Sequence, residues 1–223
     1  MKILHLYHDI MNLYGEYANV AAMQRMLEKN NVPCEIDKLS VNDNLSFMDY
    51  DFIYVGSGTE SNQKYVLEHL MPYKNELKEY MEAGKMLLMT GNSFEILGNI
   101  LKDAKGKAYE GLGFFDFSVK EQERIRNTAD AVFTMEGQEK PLVGFINKCS
   151  TMEGIDLPLF QVKMGLGNEE KGTVRESPQR TGTGSAWQYL KDGCGYKHTC
   201  DSFVTEKVTL KSKIYKIERS LIH

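Results

Sequence analysis

Three short stretches hold the residues that could do chemistry. The first is Gly91-Asn92-Ser93, set inside KMLLMTGNSFEILG, Lys85 to Gly98. An apolar strand, a tight turn and a helix in that order form the site where α/β enzymes mount a nucleophile. The turn forces its central residue to positive φ and presents that side chain. Glycine takes this conformation freely, so Gly91 can keep such an elbow while carrying no nucleophile. Ser93 offers a hydroxyl. It becomes a nucleophile only beside an activating base, and otherwise suits the N-cap of the helix that follows.

The second stretch is Gly56-Ser57-Gly58, directly after the apolar run FIYV. A glycine-rich turn between strand and helix presents backbone N–H groups that can hold an anion or an oxyanion. It lacks the G-x-G-x-x-G pattern and the Walker lysine-serine ending, and a plain tight turn accounts for it equally. The third stretch is Lys148-Cys149, after LVGFIN. Cys149 is a thiol that can act as a nucleophile beside a base or sit as an inert strand-end residue. No C-x-x-C pair occurs among Cys34, Cys149, Cys194 and Cys200, and His5, His8, His69, His198 and His223 form no zinc-binding spacing. Neither a metal nor a cofactor is expected.

The elements that must position these residues follow from periodicity. Lys2–Tyr7 reads as a buried strand, and GEYANVAAMQRMLEKNN as a helix with Val20, Met23 and Leu27 on one stripe, stopped by Asn30 and Asn31. Pro33–Leu39 and Phe52–Val55 read as strands. Asn62–Ala83 reads as a long helix broken at Pro72, because proline removes an N–H and clashes with the preceding turn. Lys85–Thr90 is the next strand and Phe94–Leu101 the next helix. The order β-α-β-β-α-β-α predicts an α/β fold with a mostly parallel sheet and helices on both faces. Ligands of such sheets bind outside the carboxyl ends of the strands. The loops HDIMNLYG, GSGTESNQ and TGNS lie there.

Beyond Gly111 the texture turns to β segments, GFFDFSVKEQ, DAVFTME and PLVGFINKC, so the second half is expected to be strand-rich. Residues 169–200 read as a loop-like tract, and 201–218 as a terminal amphipathic helix capped by Asp201 or Ser202. One domain over 1–223 is the expectation, since 223 residues suffice for one sizeable core. The composition, 26% charged and 42% hydrophobic with net charge -4, is that of an ordinary globular chain and lacks the basic excess of a nucleic-acid binder. No run is long and apolar enough for a membrane span, and the start does not read as a signal peptide, so a cytoplasmic location is the default.

Five motifs in series carry a resemblance: LYHDIMNLYGEYANV, YVGSGTESNQ, MTGNSFEILG, YEGLGFFDFSV and PLVGFINKCS. Together they resemble the class I glutamine amidotransferase domains of the cobyric acid synthase type, with the nearest likeness to the glutaminase subunits of lipid II isoglutaminyl synthases. The likeness runs from Met1 to about Asn168. It implies a flavodoxin-like sheet and a Cys-His glutaminase that passes ammonia to an ATP-dependent synthetase, a Mur-ligase-like subunit in the cell-wall enzyme. A small amide or amino acid is the ligand it implies. Gly56, Ser57 and Gly58 fall in the family's oxyanion loop. The family elbow reads Cys-Gly-Gly, an aromatic, then Gln. Here Gly91 stands at the cysteine place, Asn92 and Ser93 at the glycines, Phe94 at the aromatic and Glu95 at the glutamine. Asn92 and Glu95 therefore join the expected ligand pocket. The general-base histidine falls at Ala186, counted from Gly182-Thr183, and Lys148 stands where a related stretch often ends in histidine. By resemblance the fold is an amidotransferase and the nucleophile is gone. Thioester chemistry needs a thiolate and a base, so two roles are open: a non-catalytic partner or binding subunit, or altered chemistry at Ser93 or Cys149. A flavodoxin-like domain for a phosphate-bearing ligand is the third.

Overall fold

The computed structural model describes residues 1–135, 141–155, 160–167 and 180–181. The chain forms two compact units that divide between Ser93 and Phe94.

The first unit is built on strands β1 (Lys2–Leu6), β2 (Glu35–Leu39), β3 (Phe52–Val55) and β4 (Met86–Met89). All pair in parallel, in the order β2-β1-β3-β4. That is the order of a flavodoxin-like sheet, with its topological switch between β1 and β3. Right-handed crossovers then put the connecting helices on opposite faces, because β1→β2 and β3→β4 step in opposite directions. Helix α1 (Tyr17–Lys29) buries Val20, Met23 and Leu27, the stripe read from the sequence. Burial of β1 and β3 on both faces explains their near-continuous apolar runs.

The long helix between β3 and β4 breaks at Pro72 as the sequence predicts. Helix α2 (Glu60–Leu70) gives way to one 3-10 turn, Met71–Tyr73, and restarts as α3 (Lys74–Glu82). It begins two residues earlier than the apolar spacing suggests, because the Thr59 side chain accepts from the Asn62 N–H and caps it.

After β4 the structure corrects the sequence reading. The predicted helix Phe94–Leu101 is a 3-10 helix, Gly91–Leu97, and the chain then enters strand β5 (Ile100–Lys102). Apolar side chains at Phe94, Ile96 and Leu97 are buried within barely two turns, too short for an α-helix to repay its nucleation.

The second unit is strand-rich, as its sequence suggests. Strand β5 joins β6 (Ala108–Glu110), β7 (Ser118–Glu121) and β10 (Ser150–Glu153) in the order β10-β7-β5-β6. Strands β8 (Asn127–Met135), β9 (Leu142–Lys148), β11 (Phe160–Met164) and β12 (Arg180–Thr181) form an antiparallel sheet in the order β12-β11-β8-β9. Ala131 and Phe133 make its core, packed by Leu142, Ile146 and Val162. Phe94 stacks on Phe117 at 5.1 Å between ring centroids. Apart from Arg180–Thr181, the tract 169–200 and the expected terminal helix 201–218 lie outside the described residues.

One buried polar residue in β1 sets a pH response. His5 is 1% exposed, and its Nε2 has no hydrogen-bond partner among the described residues. Burial, reinforced by His8 and Lys38, pulls its pKa down to about 4. The folded state therefore holds it neutral while the unfolded chain titrates at the ordinary value. Stability from this group is present in full above pH 6.5 and is lost as pH falls towards 4. The shift corresponds to roughly 3 kcal/mol. Urea unfolding between pH 7.5 and 4 should show His5→Leu losing about that much less stability than the parent over this range. Parallel pH curves for the two proteins would refute the assignment.

Candidate functional site

At the carboxyl edge of the parallel sheet, three loops meet within the first unit. They follow β1, β3 and β4, the places where the sequence expects a ligand.

The loop after β1 closes the crevice from one side. Tyr7, directly after β1, has φ 55, a left-handed conformation that is rare for an aromatic residue. Its hydroxyl sits 2.9 Å from His69 Nδ1 on α2. The chain then folds back so that Met11, fully buried, lies against the Gly-Ser-Gly turn. A Cβ at Gly56 would run into the Met11 carbonyl oxygen, and one at Gly58 would lie 2.5 Å from the Met11 sulfur. The Leu13 N–H donates to the Ser57 carbonyl at 3.0 Å, and Asn62 Nδ2 donates to the Ile10 carbonyl at 2.8 Å. These glycines admit the neighbouring loop. Glu60 in the first turn of α2 further opposes an anion there.

The loop after β4 meets the same turn from the other side. Gly91 has φ +60, the conformation that an elbow needs. A Cβ added to it would lie 2.7 Å from Ser57 Cβ, closer than carbons pack. The direction in which a residue 91 side chain would leave the backbone is thus filled by Ser57. Asn92 spans the gap beside it. Its Oδ1 accepts from the Gly58 N–H at 3.0 Å, and its Nδ2 donates to the Gly58 carbonyl at 2.8 Å. Gln63 Nε2, on α2, donates to the Asn92 carbonyl at 2.6 Å. Ser93 is fully buried and donates its hydroxyl to the carbonyls of Thr90 at 2.8 Å and Val55 at 3.2 Å. It caps no helix N-terminus. Its proton holds the end of β4 against β3.

Beneath the turn lies a polar network that the sequence did not flag. Glu16, only 3% exposed, accepts from Ser57 Oγ, from the Tyr54 hydroxyl at 2.9 Å and from Asn19 Nδ2 at 3.2 Å. Tyr54 also bonds Asn19 at 2.7 Å and Thr90 at 3.0 Å. Burial, and then the neighbouring Glu16 charge, push the Tyr54 phenol well above its ordinary range, so it stays a donor. A carboxylate at the start of an amphipathic helix reads as solvated surface, and only the packing reveals it as a hub.

The remaining predicted residues belong to the second unit. Glu95 is buried and accepts from Ser150 Oγ. Lys148, the last residue of β9, is half-buried, and burial pulls its ammonium down to about 8 against the opposing pull of Glu95. Cys149 is half-buried and forms no disulfide among the described residues, and its carbonyl accepts from the Gln122 N–H at 2.7 Å. Gly182, Thr183, Ala186 and His198 lie outside the described residues. No group of three metal-ligating side chains occurs among the described residues. No helix among them is long and apolar enough to cross a membrane.

The model of the CobB/CobQ-like glutamine amidotransferase domain matches residues 2–186, somewhat beyond the stretch that the five motifs mark. Among curated proteins the chain is 28% identical over 173 residues to the lipid II isoglutaminyl synthase (glutamine-hydrolyzing) subunit GatD of Streptococcus pneumoniae, covering 77% of this chain and 66% of that protein. It is 27% identical to the GatD subunit of Staphylococcus aureus, covering 77% of this chain and 70% of that one. The chain thus spans just under two thirds of the pneumococcal relative's length. A solved glutamine amidotransferase aligns over 71% of this chain and 79% of its own, with a TM-score of 0.45 and 12% identity.

The turn's tolerance for a side chain is directly measurable. Gly91→Ala should cost about 2–4 kcal/mol, combining positive φ with the Ser57 collision. Asn92→Ala, which leaves the Gly58 peptide without its clamp, should cost about 1–2 kcal/mol. Urea denaturation checks both, and a Gly91→Ala protein as stable as the parent would contradict this geometry.

Proposed function

This chain belongs to the CobB/CobQ-like glutamine amidotransferase domain family, and we propose that it serves there as a subunit that does not itself hydrolyse glutamine. Its setting would be the amidation of a cell-wall precursor, beside an ATP-dependent, Mur-ligase-like synthetase in the cytoplasm. The likeness to two GatD subunits supports that setting. A single observation carries the loss of hydrolysis: Gly91 holds the elbow conformation with Ser57 packed where a nucleophile's Cβ would stand.

Two further features support this reading. The family reaction needs a thiolate to attack the amide carbon and backbone donors to hold the resulting oxyanion. Residue 91 has no side chain, and the Gly58 N–H already donates to Asn92. An oxyanion arriving there would have to displace a hydrogen bond made in the same loop pair. The loop after β1 packs Met11 against the Gly-Ser-Gly turn and is hydrogen-bonded to Ser57 and Asn62.

Altered chemistry at Ser93 gains little support, since its hydroxyl is buried and committed to two carbonyls. A phosphate site at Gly56-Ser57-Gly58 gains little either, because those glycines make room for Met11. On this proposal the amidotransferase unit contributes a folded partner surface, and ammonia comes from elsewhere.

Incubation of the purified protein with glutamine should release no ammonia above the buffer rate. Gly91→Cys should stay inactive as well, because its Cβ collides with Ser57 and the oxyanion donor remains occupied. Ammonia release by the parent protein at a rate normal for glutaminases would overturn the proposal.

A further inference from the structure

Four lysines gather at one end of the sheet β10-β7-β5-β6. Lys102 closes β5, and Lys120 lies in β7. These strands run parallel with Lys102 and Lys120 as register partners, so both side chains leave the same face, and both residues are exposed. Lys105 and Lys107 lie in the turn that joins β5 to β6. A Cβ built on Gly106, between them, meets nothing within 4 Å, so this turn projects into open space.

None of the four ammonium groups forms an ion pair among the described residues. Lys107 stands over the Tyr109 ring, 4.5 Å from its centroid. The carboxylate of the turn, Asp103, is held by backbone: its Oδ1 accepts from the Lys105 and Lys107 N–H groups at 2.9 and 2.8 Å. Glu121 is buried, on the face opposite Lys120, and accepts from the Ala104 N–H at 3.3 Å. Glu110 and Glu153 sit at the other end of the strands, in the row of Ile100 and Ser118, about 7 Å from the Lys102–Lys120 row. Like charges side by side on one face destabilise a sheet. Here two are neighbours and two more follow in the turn, on a chain of net charge -4.

We propose that this face and its turn dock on an anionic phospholipid surface and hold the second unit at a membrane. Charge complementarity supplies the attraction, and shape selects the partner. The lysines stand on an open sheet face and a projecting turn, whereas proteins that track a nucleic-acid strand use a groove. Ile100, 41% exposed and two residues before Lys102 on the same face, puts an apolar side chain beside the charges. Basic and apolar side chains together suit the lipid-water boundary. The docking does not rest on the amidation reading, since these lysines attract an anionic surface whatever the turn at Gly91 does.

Each lysine near an anionic membrane strengthens binding by about fivefold. The full chain is sedimented with phosphatidylcholine vesicles, with or without about one third phosphatidylglycerol, at about 0.1 M salt. Binding to the anionic vesicles should be at least about 25-fold tighter than to the neutral ones, and salt at about 1 M should abolish it. Lys102→Gln with Lys120→Gln should weaken binding about 25-fold. Lys29→Gln with Lys78→Gln, which removes the same charge from exposed positions of the first unit, should leave it unchanged. Equal binding of the unaltered protein to both vesicles overturns the proposal, and that comparison needs no variant to fold. So does an equal loss in the two double variants, which would make net charge the cause. Binding to polyuridylate RNA without binding to vesicles overturns it as well.

Discussion

The contact between Gly91 and Ser57 decides the character of the carboxyl edge of the sheet. Two loops, one after β3 and one after β4, approach so closely there that neither can carry a bulkier backbone neighbour. Gly91 accepts positive φ, Ser57 fills the space beside it, and Asn92 bridges to both polar groups of the Gly58 peptide. Everything else at this edge takes its place from that contact. Ser57 is held from below by Glu16, Glu16 is held by Tyr54 and Asn19, and Tyr54 reaches back to Thr90 at the foot of the turn. The circuit closes on itself, so its buried polar groups satisfy one another without a ligand.

Such an arrangement separates two things that an active elbow combines. A nucleophile elbow uses strain to present a reactive atom. Here the same bend is made by a residue for which it is no strain, and the adjoining hydrogen-bond donors are spent on packing. The turn also ties β4 to β3 through Ser93 and to α2 through the Asn92 carbonyl and Gln63. Ser93 illustrates the point. Its hydroxyl, the most nucleophile-like group in the turn, bonds the Thr90 and Val55 carbonyls.

Much of the fold was legible in the sequence because it rests on local rules. Apolar runs marked β1, β3 and β4, the Val20-Met23-Leu27 stripe marked α1, and Pro72 marked the break between α2 and α3. The stretch after Ser93 was misread because apolar spacing cannot separate a short 3-10 turn from the start of an α-helix. At the site, Gly91 was legible as an elbow from its flanking strand and by resemblance. Glu16, Gln63 and Thr90 were not. They lie far apart in the chain, and their roles arise only when the parallel sheet brings three loop ends together. The Asn92 clamp was half legible: the resemblance puts the residue in an expected ligand pocket, but its two bonds to Gly58 depend on side-chain geometry.

A closed elbow requires that the Gly58 N–H is already held by Asn92 Oδ1. Amide hydrogen exchange at Gly58, followed by NMR in the unliganded protein and in Asn92→Ala, measures this directly. If Asn92 Oδ1 holds that proton, exchange in the parent is slow and rises sharply in the variant while β1 and β3 amides keep their protection. Equal exchange at Gly58 in the two proteins would show that the donor is not spent on Asn92, and the closed-site account would fail.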